Sequence, residues 1–207
     1  MASSRLVIHG VPLSGHTHRV VNFASMLGLP HELVSTPAAL RRSPAFLALN
    51  PLGQIPVLQD GDLVLSDSNA ILVYLAKRYG GGAPWLPDDP VGAAQVQRWL
   101  SVAAAEMRFG PAAARVVTLW SGPGSLADAQ AIAARLLAFM EHHLAGRSYL
   151  AADHPTIADI SGYSYIAHAP EGRISLEPYA QVRAWLARIE ALPGFVAMPA
   201  SAVPPEA

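Results

Sequence analysis

Apolar residues follow two different rhythms along this chain, and the change comes near residue 80. Before it, short apolar runs of strand length alternate with stretches of helical period; after residue 90 only the helical period persists. Residues 5–9 read as a first strand. Across 18–27, Val20, Val21, Phe23, Ala24 and Leu27 recur at helical spacing, and Gly28 and Pro30 end that helix. Residues 31–35 read as a second strand, and 37–49 as a turn at Arg41-Arg42-Ser43-Pro44 followed by a short helix. In 50–72, Pro51 and Gly53 make a turn, Pro56 stands directly before a strand, and Asp60-Gly61 signals a hairpin. The return strand is Leu63-Val64-Leu65. Ser66-Asp67-Ser68 then favours the start of a helix that runs to about Tyr79. The order β-α-β-α-β-β-α predicts a small mixed sheet with helices on its faces.

Gly80-Gly81-Gly82-Ala83-Pro84 cannot continue a helix, so a domain boundary is expected here: 1–80 as the first domain, 81–89 as linker and 90–207 as an all-helical second domain. In the second, helices are predicted over 90–109, with an interruption at Gly110-Pro111 and a resumption to Trp120, and over 126–144, 156–168 and 178–191. Thr156-Ile157-Ala158-Asp159 has the form of a capping box with an acidic third residue, which makes Asp159 a folding residue. The tail after Pro199 is expected to be loose.

Composition narrows the function. With 52% hydrophobic and 14% charged residues, a filled core is expected. A net charge of -1 without a basic stripe argues against nucleic acid as a partner. No apolar run approaches membrane-spanning length, and the N-terminal Met-Ala-Ser-Ser-Arg leads into too short an apolar run for a secretion signal, so no membrane partner and a cytoplasmic location are expected. There is no cysteine, so any thiol chemistry must use a thiol that arrives with a ligand. His142 and His143 are adjacent on a helix and point apart, and no metal site is expected.

Two places carry candidate chemistry. Ser14, between the first strand and first helix, is either a loop or capping serine or a hydroxyl that holds a thiolate; Thr17 is the competing hydroxyl and the expected cap. A free thiol of pKa ~8.5 is only a few per cent ionised at neutral pH. Lowering that value by two units takes about 2.7 kcal/mol of preference for the anion, within reach of a hydroxyl donor and a helix N-terminus together. Asp67 and Ser68 have the same duality: they cap the next helix, and they can face a carboxylate and an ammonium.

Leu13-Ser14-Gly15-His16-Thr17-His18-Arg19-Val20, Asn50-Pro51-Leu52-Gly53-Gln54-Ile55-Pro56 with Asp67-Ser68 beyond it, and Pro155-Thr156-Ile157-Ala158-Asp159-Ile160 occur in that order. With them the chain resembles the cytosolic glutathione transferases along essentially its whole length, in particular bacterial members and serine-type classes such as theta and zeta. The resemblance implies an α/β, thioredoxin-like N-terminal domain that binds glutathione, followed by an all-helical C-terminal domain that shapes an electrophile pocket. It implies a cis Pro56, with the Ile55 backbone pairing the cysteinyl part of glutathione. Gln54, with Arg41 as a second donor, would meet the glycine carboxylate, Asp67 and Ser68 the γ-glutamyl end, and Ser14 the sulfur. Glutathione is then a co-substrate, the other substrate a small hydrophobic electrophile, and the assembly a homodimer. Asp67 stands where Glu is common in the family, and Gln54 where Lys is frequent. A glutathione-dependent disulfide reductase and a non-catalytic glutathione-binding stress or interaction protein are the alternatives left open.

Overall fold

A computed structural model describes residues 5–205. Met1 to Ser4, the lead-in to the first strand, and the last two residues of the tail lie outside the described residues. The chain forms two compact units. The first comprises Met1–Ala83 and Leu192–Pro199, the second Pro84–Ala191 and Ala200–Ala207.

In the first unit, β1 (Leu6–Gly10), β2 (His31–Ser35), β3 (Val57–Asp60) and β4 (Leu63–Ser66) make one sheet in the order β2-β1-β3-β4. β1 pairs parallel with β2 and antiparallel with β3, and β3 and β4 form the expected hairpin. Between β1 and β2 runs α1 (Gly15–Met26); α2 (Pro44–Leu49) precedes β3, and α3 (Ser68–Tyr79) follows β4. Along β1, Leu6, Ile8 and Gly10 are buried while Val7 and His9 are half-buried, the alternation of a strand with two unequal faces. His9 stands edge-on to Phe46 of α2, with ring centroids 6.2 Å apart. α1 and α3 pack together, and Val20, Phe23, Ala24, Ile71, Leu72 and Leu75 are withdrawn from solvent with Val57 and Leu58 of the sheet. The segment Leu192–Pro199 closes over α1: His18 Nε2 donates to the Val196 carbonyl at 2.7 Å, and Val196 N–H donates to Asn22 Oδ1 at 2.8 Å.

The second unit is helical: α4 (Pro90–Ala104), a π-turn over Arg108–Ala112, α5 (Ala113–Trp120), α6 (Leu126–Leu144), α7 (Ile157–Ala167) and α8 (Ala180–Glu190). The first helix stops at Ala104, earlier than Gly110-Pro111 suggests. A proline ring presses on the carbonyl four residues before it, so the turn that leads into Pro111 is the one that widens.

Asp159 organises the interior of this unit. It is fully buried at the start of α7, where Thr156 and Asp159 form the expected capping box. Its Oδ1 accepts from Leu150 N–H and Trp185 Nε1–H, both at 2.9 Å, and its Oδ2 from Thr156 N–H at 2.9 Å. Burial pushes its carboxyl up from the usual range, and these donors offset that only in part.

A second buried charge cluster corrects the expectation of a loose tail. The Arg115 guanidinium pairs with Glu171, at 2% and 6% exposure. Glu171 also accepts from His168 Nδ1 at 2.7 Å and from Ser201 N–H at 2.9 Å. Arg173 donates to the Pro204 carbonyl at 2.8 Å. Burial alone would raise the Glu171 carboxyl; the Ser201 N–H, His168 and Arg115 outweigh it and hold it below the usual range. The residues around Ser201 are thus tied to the second unit by polar anchors, since burying Arg115 and Glu171 is tolerable only when both are fully partnered. Among the described residues, no helix is long and apolar enough to cross a membrane.

Candidate active site

The register of the first unit gathers residues that are far apart in sequence. His9 of β1 lies opposite Val57 of β3, and Val57 opposite Ser66 of β4. The loop that follows β1, the residues that enter β3 and those that leave β4 therefore emerge at one end of the sheet. They carry Ser14, then Gln54, Ile55 and Pro56, then Asp67 and Ser68.

Ser14 is the N-cap of α1, and Thr17, expected to cap, is not. Ser14 has extended backbone angles and its Oγ accepts from Thr17 N–H at 3.3 Å. A capping serine uses a lone pair, so its hydroxyl proton stays available to an anion. Thr17 lies inside the first turn, 1% exposed, against β1: a Cβ at Gly10 would sit 2.4 Å from Thr17 Cγ2 and Oγ1. Gly10→Ala is expected to cost about 2–3 kcal/mol of unfolding free energy through this overlap, measured by urea denaturation. A cost under about 0.5 kcal/mol would show that Thr17 is free to move aside.

The Ile55–Pro56 bond is cis, as the resemblance implied. Pro56 is buried and Ile55 half-buried. Among the described residues, none accepts from Ile55 N–H or donates to its carbonyl. Asn50 supports the turn before them, donating through Nδ2 to the Gln54 carbonyl at 2.8 Å and accepting from Leu52 N–H at 3.1 Å. The Gln54 side chain is exposed. Gly53, at φ +63, passes so close to Arg41 that a Cβ would come within 3.2 Å of its carbonyl oxygen. Arg41 Nε is buried without a hydrogen-bond partner.

Asp67 caps α3 with Oδ1 alone, which accepts from Asn69 N–H and Ala70 N–H at 2.9 Å each. Among the described residues nothing donates to Oδ2. Its φ of 71° is one that non-glycine residues seldom adopt, a local cost that the cap helps to sustain. Ser68 heads the helix and is buried. Two residues of α1 reach it: Arg19 Nη1 donates to Ser68 Oγ at 3.3 Å and to Asn69 Oδ1 at 2.8 Å, and His16 Nδ1 lies 3.2 Å from the same oxygen. The arrangement offers a hydroxyl at one helix N-terminus, a strand-like backbone edge, and a second helix N-terminus beside an uncommitted carboxylate oxygen. It suits an elongated ligand with amide, carboxylate, ammonium and thiol groups.

Residues 8–83 match the family model described as Glutathione S-transferase, N-terminal domain, and residues 125–193 that of Glutathione S-transferase, C-terminal domain. This chain belongs to the glutathione S-transferase family. It is 35% identical to Glutathione S-transferase 3 of Zea mays over an alignment that spans 92% of this chain and 91% of that protein. With Glutathione S-transferase theta-2 of Homo sapiens it shares 31% over 88% and 79% of the two chains. A crystal structure of a glutathione S-transferase from Pseudomonas fluorescens superposes with a TM-score of 0.88 at 32% identity, covering 94% of this chain and 99% of that one. The first unit of this glutathione S-transferase family member is accordingly thioredoxin-like, and the second is the family's helical domain.

His16 and Arg19 were not singled out by sequence reasoning. Their role depends on side-chain direction across the packed α1 and α3. One signal was available: once Ser14 is the cap, positions 16 and 19 are three residues apart in one helix and share a face.

Proposed function

We propose that this glutathione S-transferase family member is an active transferase that binds glutathione on its first unit, ionises the thiol beside Ser14 and directs the thiolate at a small hydrophobic electrophile. The observation that carries the reading is the Ser14 cap. The helix N–H of Thr17 occupies the oxygen, so the hydroxyl proton remains for the sulfur, at the positive end of α1. Ile55 N–H and C=O pair with the cysteinyl residue. Gln54 and Arg41 serve the glycine carboxylate, Asp67 Oδ2 the ammonium, and Ser68 the γ-glutamyl carboxylate. The chain supplies no nucleophile of its own; it generates one on the ligand and holds it in place. A homodimer in the cytoplasm belongs to the same reading, by likeness to the family.

The first test is binding. Ligand that binds only the native state stabilises it by about 2.7 kcal/mol at a hundred times Kd, a rise in melting midpoint of about 5–10 °C for a chain of this size. A thermal-shift titration with glutathione is expected to show it. An unmoved midpoint at millimolar glutathione would defeat the proposal. Activity against a panel of chloro-aromatic and disulfide acceptors then separates transferase from disulfide reductase.

A further inference from the structure

Ser68 Oγ is where two side chains of α1 converge, and its surroundings restrict where its proton can go. Arg19 Nη1 donates to it at 3.3 Å and His16 Nδ1 lies 3.2 Å away. Ser68 is only 4% exposed, so solvent competes little for the hydroxyl. A serine hydroxyl has one proton and two lone pairs, and a guanidinium only donates. Arg19 therefore occupies one lone pair at every pH. The other lone pair and the proton are divided between His16 and whatever docks at the head of α3. With hydrogen on Nδ1, His16 fills the second lone pair and the hydroxyl proton faces the docked group. With Nδ1 bare, His16 takes the proton, and the docked group meets a lone pair. A carboxylate fits only the first state.

We propose that His16 is a positioning residue for this seat: its Nδ1–H form turns the Ser68 hydroxyl proton toward a ligand carboxylate, so carboxylate binding and protonation of His16 favour each other. The inference rests on the reading of the site as a glutathione site, with the γ-glutamyl carboxylate as the docked group. The coupling is reciprocal, as linkage requires. Of the charged groups, Arg19 on α1 shares the Ser68 oxygen with His16, and Asp67 stands at the head of α3. The other histidines of the first unit are engaged elsewhere: His9 of β1 with Gln59, His18 of α1 with the Val196 carbonyl, and His31, at the opposite end of the sheet, with the Leu29 carbonyl. Because a neutral Nδ1–H tautomer also serves, the coupling is a modulation of affinity and not a condition for binding.

S-methylglutathione, which has no ionisable thiol, is the probe. It is titrated into the full chain by calorimetry between about pH 5.5 and 7.5, around the ordinary imidazole value of about 6.5, in buffers of different ionisation heat. The wild type is expected to take up a fraction of a proton on binding and to bind about three- to tenfold more tightly at the acid end. His16→Asn, whose amide can donate at every pH, is expected to bind with the acid-end affinity throughout and to take up no proton. His16→Phe is expected to bind at or below the alkaline-end affinity, again without proton uptake. Uptake that survives in both variants, an affinity unchanged in His16→Phe, or a wild type that binds without uptake would overturn this role for His16 and leave the glutathione site standing. A wild type that does not bind S-methylglutathione at millimolar concentration would overturn both.

Discussion

Asp159→Ala is expected to lower the unfolding free energy by about 4 kcal/mol, roughly a thousandfold in the ratio of folded to unfolded chains. The substitution removes both oxygens from a site with 0% exposure and strands the N–H groups of Leu150 and Thr156 and the indole N–H of Trp185. A buried donor left without an acceptor costs about 1–3 kcal/mol, and a water that enters the void can satisfy only part of the set. Those donors come from the loop before α7, the cap of α7 and the middle of α8, so the loss separates three pieces of one core. Asp159→Asn keeps one acceptor oxygen and is expected to cost about half as much. Chemical denaturation of both variants provides the measurement. A cost under about 1 kcal/mol for the alanine variant would mean that the carboxylate is dispensable to the interior.

The second large effect is on turnover. In Ser14→Ala the thiol of bound glutathione is expected to have a pKa about 1–2 units higher than in the wild type, because a hydrogen bond to a charged group contributes about 1.5–3 kcal/mol. At pH 7, from a wild-type value of about 6.5, the thiolate fraction, and turnover with it, then falls about three- to twenty-five-fold. Glutathione affinity should change little, since Ile55, Asp67 and Ser68 are untouched. Loss of the cap also destabilises α1 by about 1 kcal/mol, so Ser14→Gly, which weakens a cap by only a few tenths, separates the chemical loss from the structural one. The thiolate absorbance of the bound ligand, followed against pH, gives the pKa directly. An unshifted value in both variants would remove Ser14 from the mechanism.

The sequence specifies some elements locally and others only through distant pairings. The helix Leu126–Leu144 lies where the sequence pattern puts it because its apolar period runs to both ends, and the strand His31–Ser35 does because Pro30 and Pro37 bracket its Leu33-Val34 centre. The apolar period starts α1 three residues late: Gly15, His16 and Thr17 have no apolar side chain to extend it, and only the Ser14 cap marks the true beginning. Asp67 was legible as a cap residue, but its positive φ was not, since nothing local to Ser66-Asp67-Ser68 demands it. The meeting of Ser14, Ile55 and Ser68 at one end of the sheet follows from pairings of β1 with β3 and β3 with β4, which no short window contains. The motifs suggested those residues through family likeness; the register supplied the geometry that brings them together. The His16–Ser68 contact spans 52 positions and was invisible for the same reason.

The allocation of Leu192–Pro199 to the first unit bears on how the protein is made. A ribosome delivers the chain in order, and an N-terminal domain ordinarily folds while the rest is still being synthesised. Here the sheet and its helices, all before residue 84, emerge early, but the carbonyl and N–H of Val196 that engage His18 and Asn22 emerge only after the helices of the second unit. The unit that holds the candidate active site is therefore finished only after helices α4 to α8 have left the exit tunnel, and a message truncated after α8 would yield a complete sheet with His18 and Asn22 of α1 open to water.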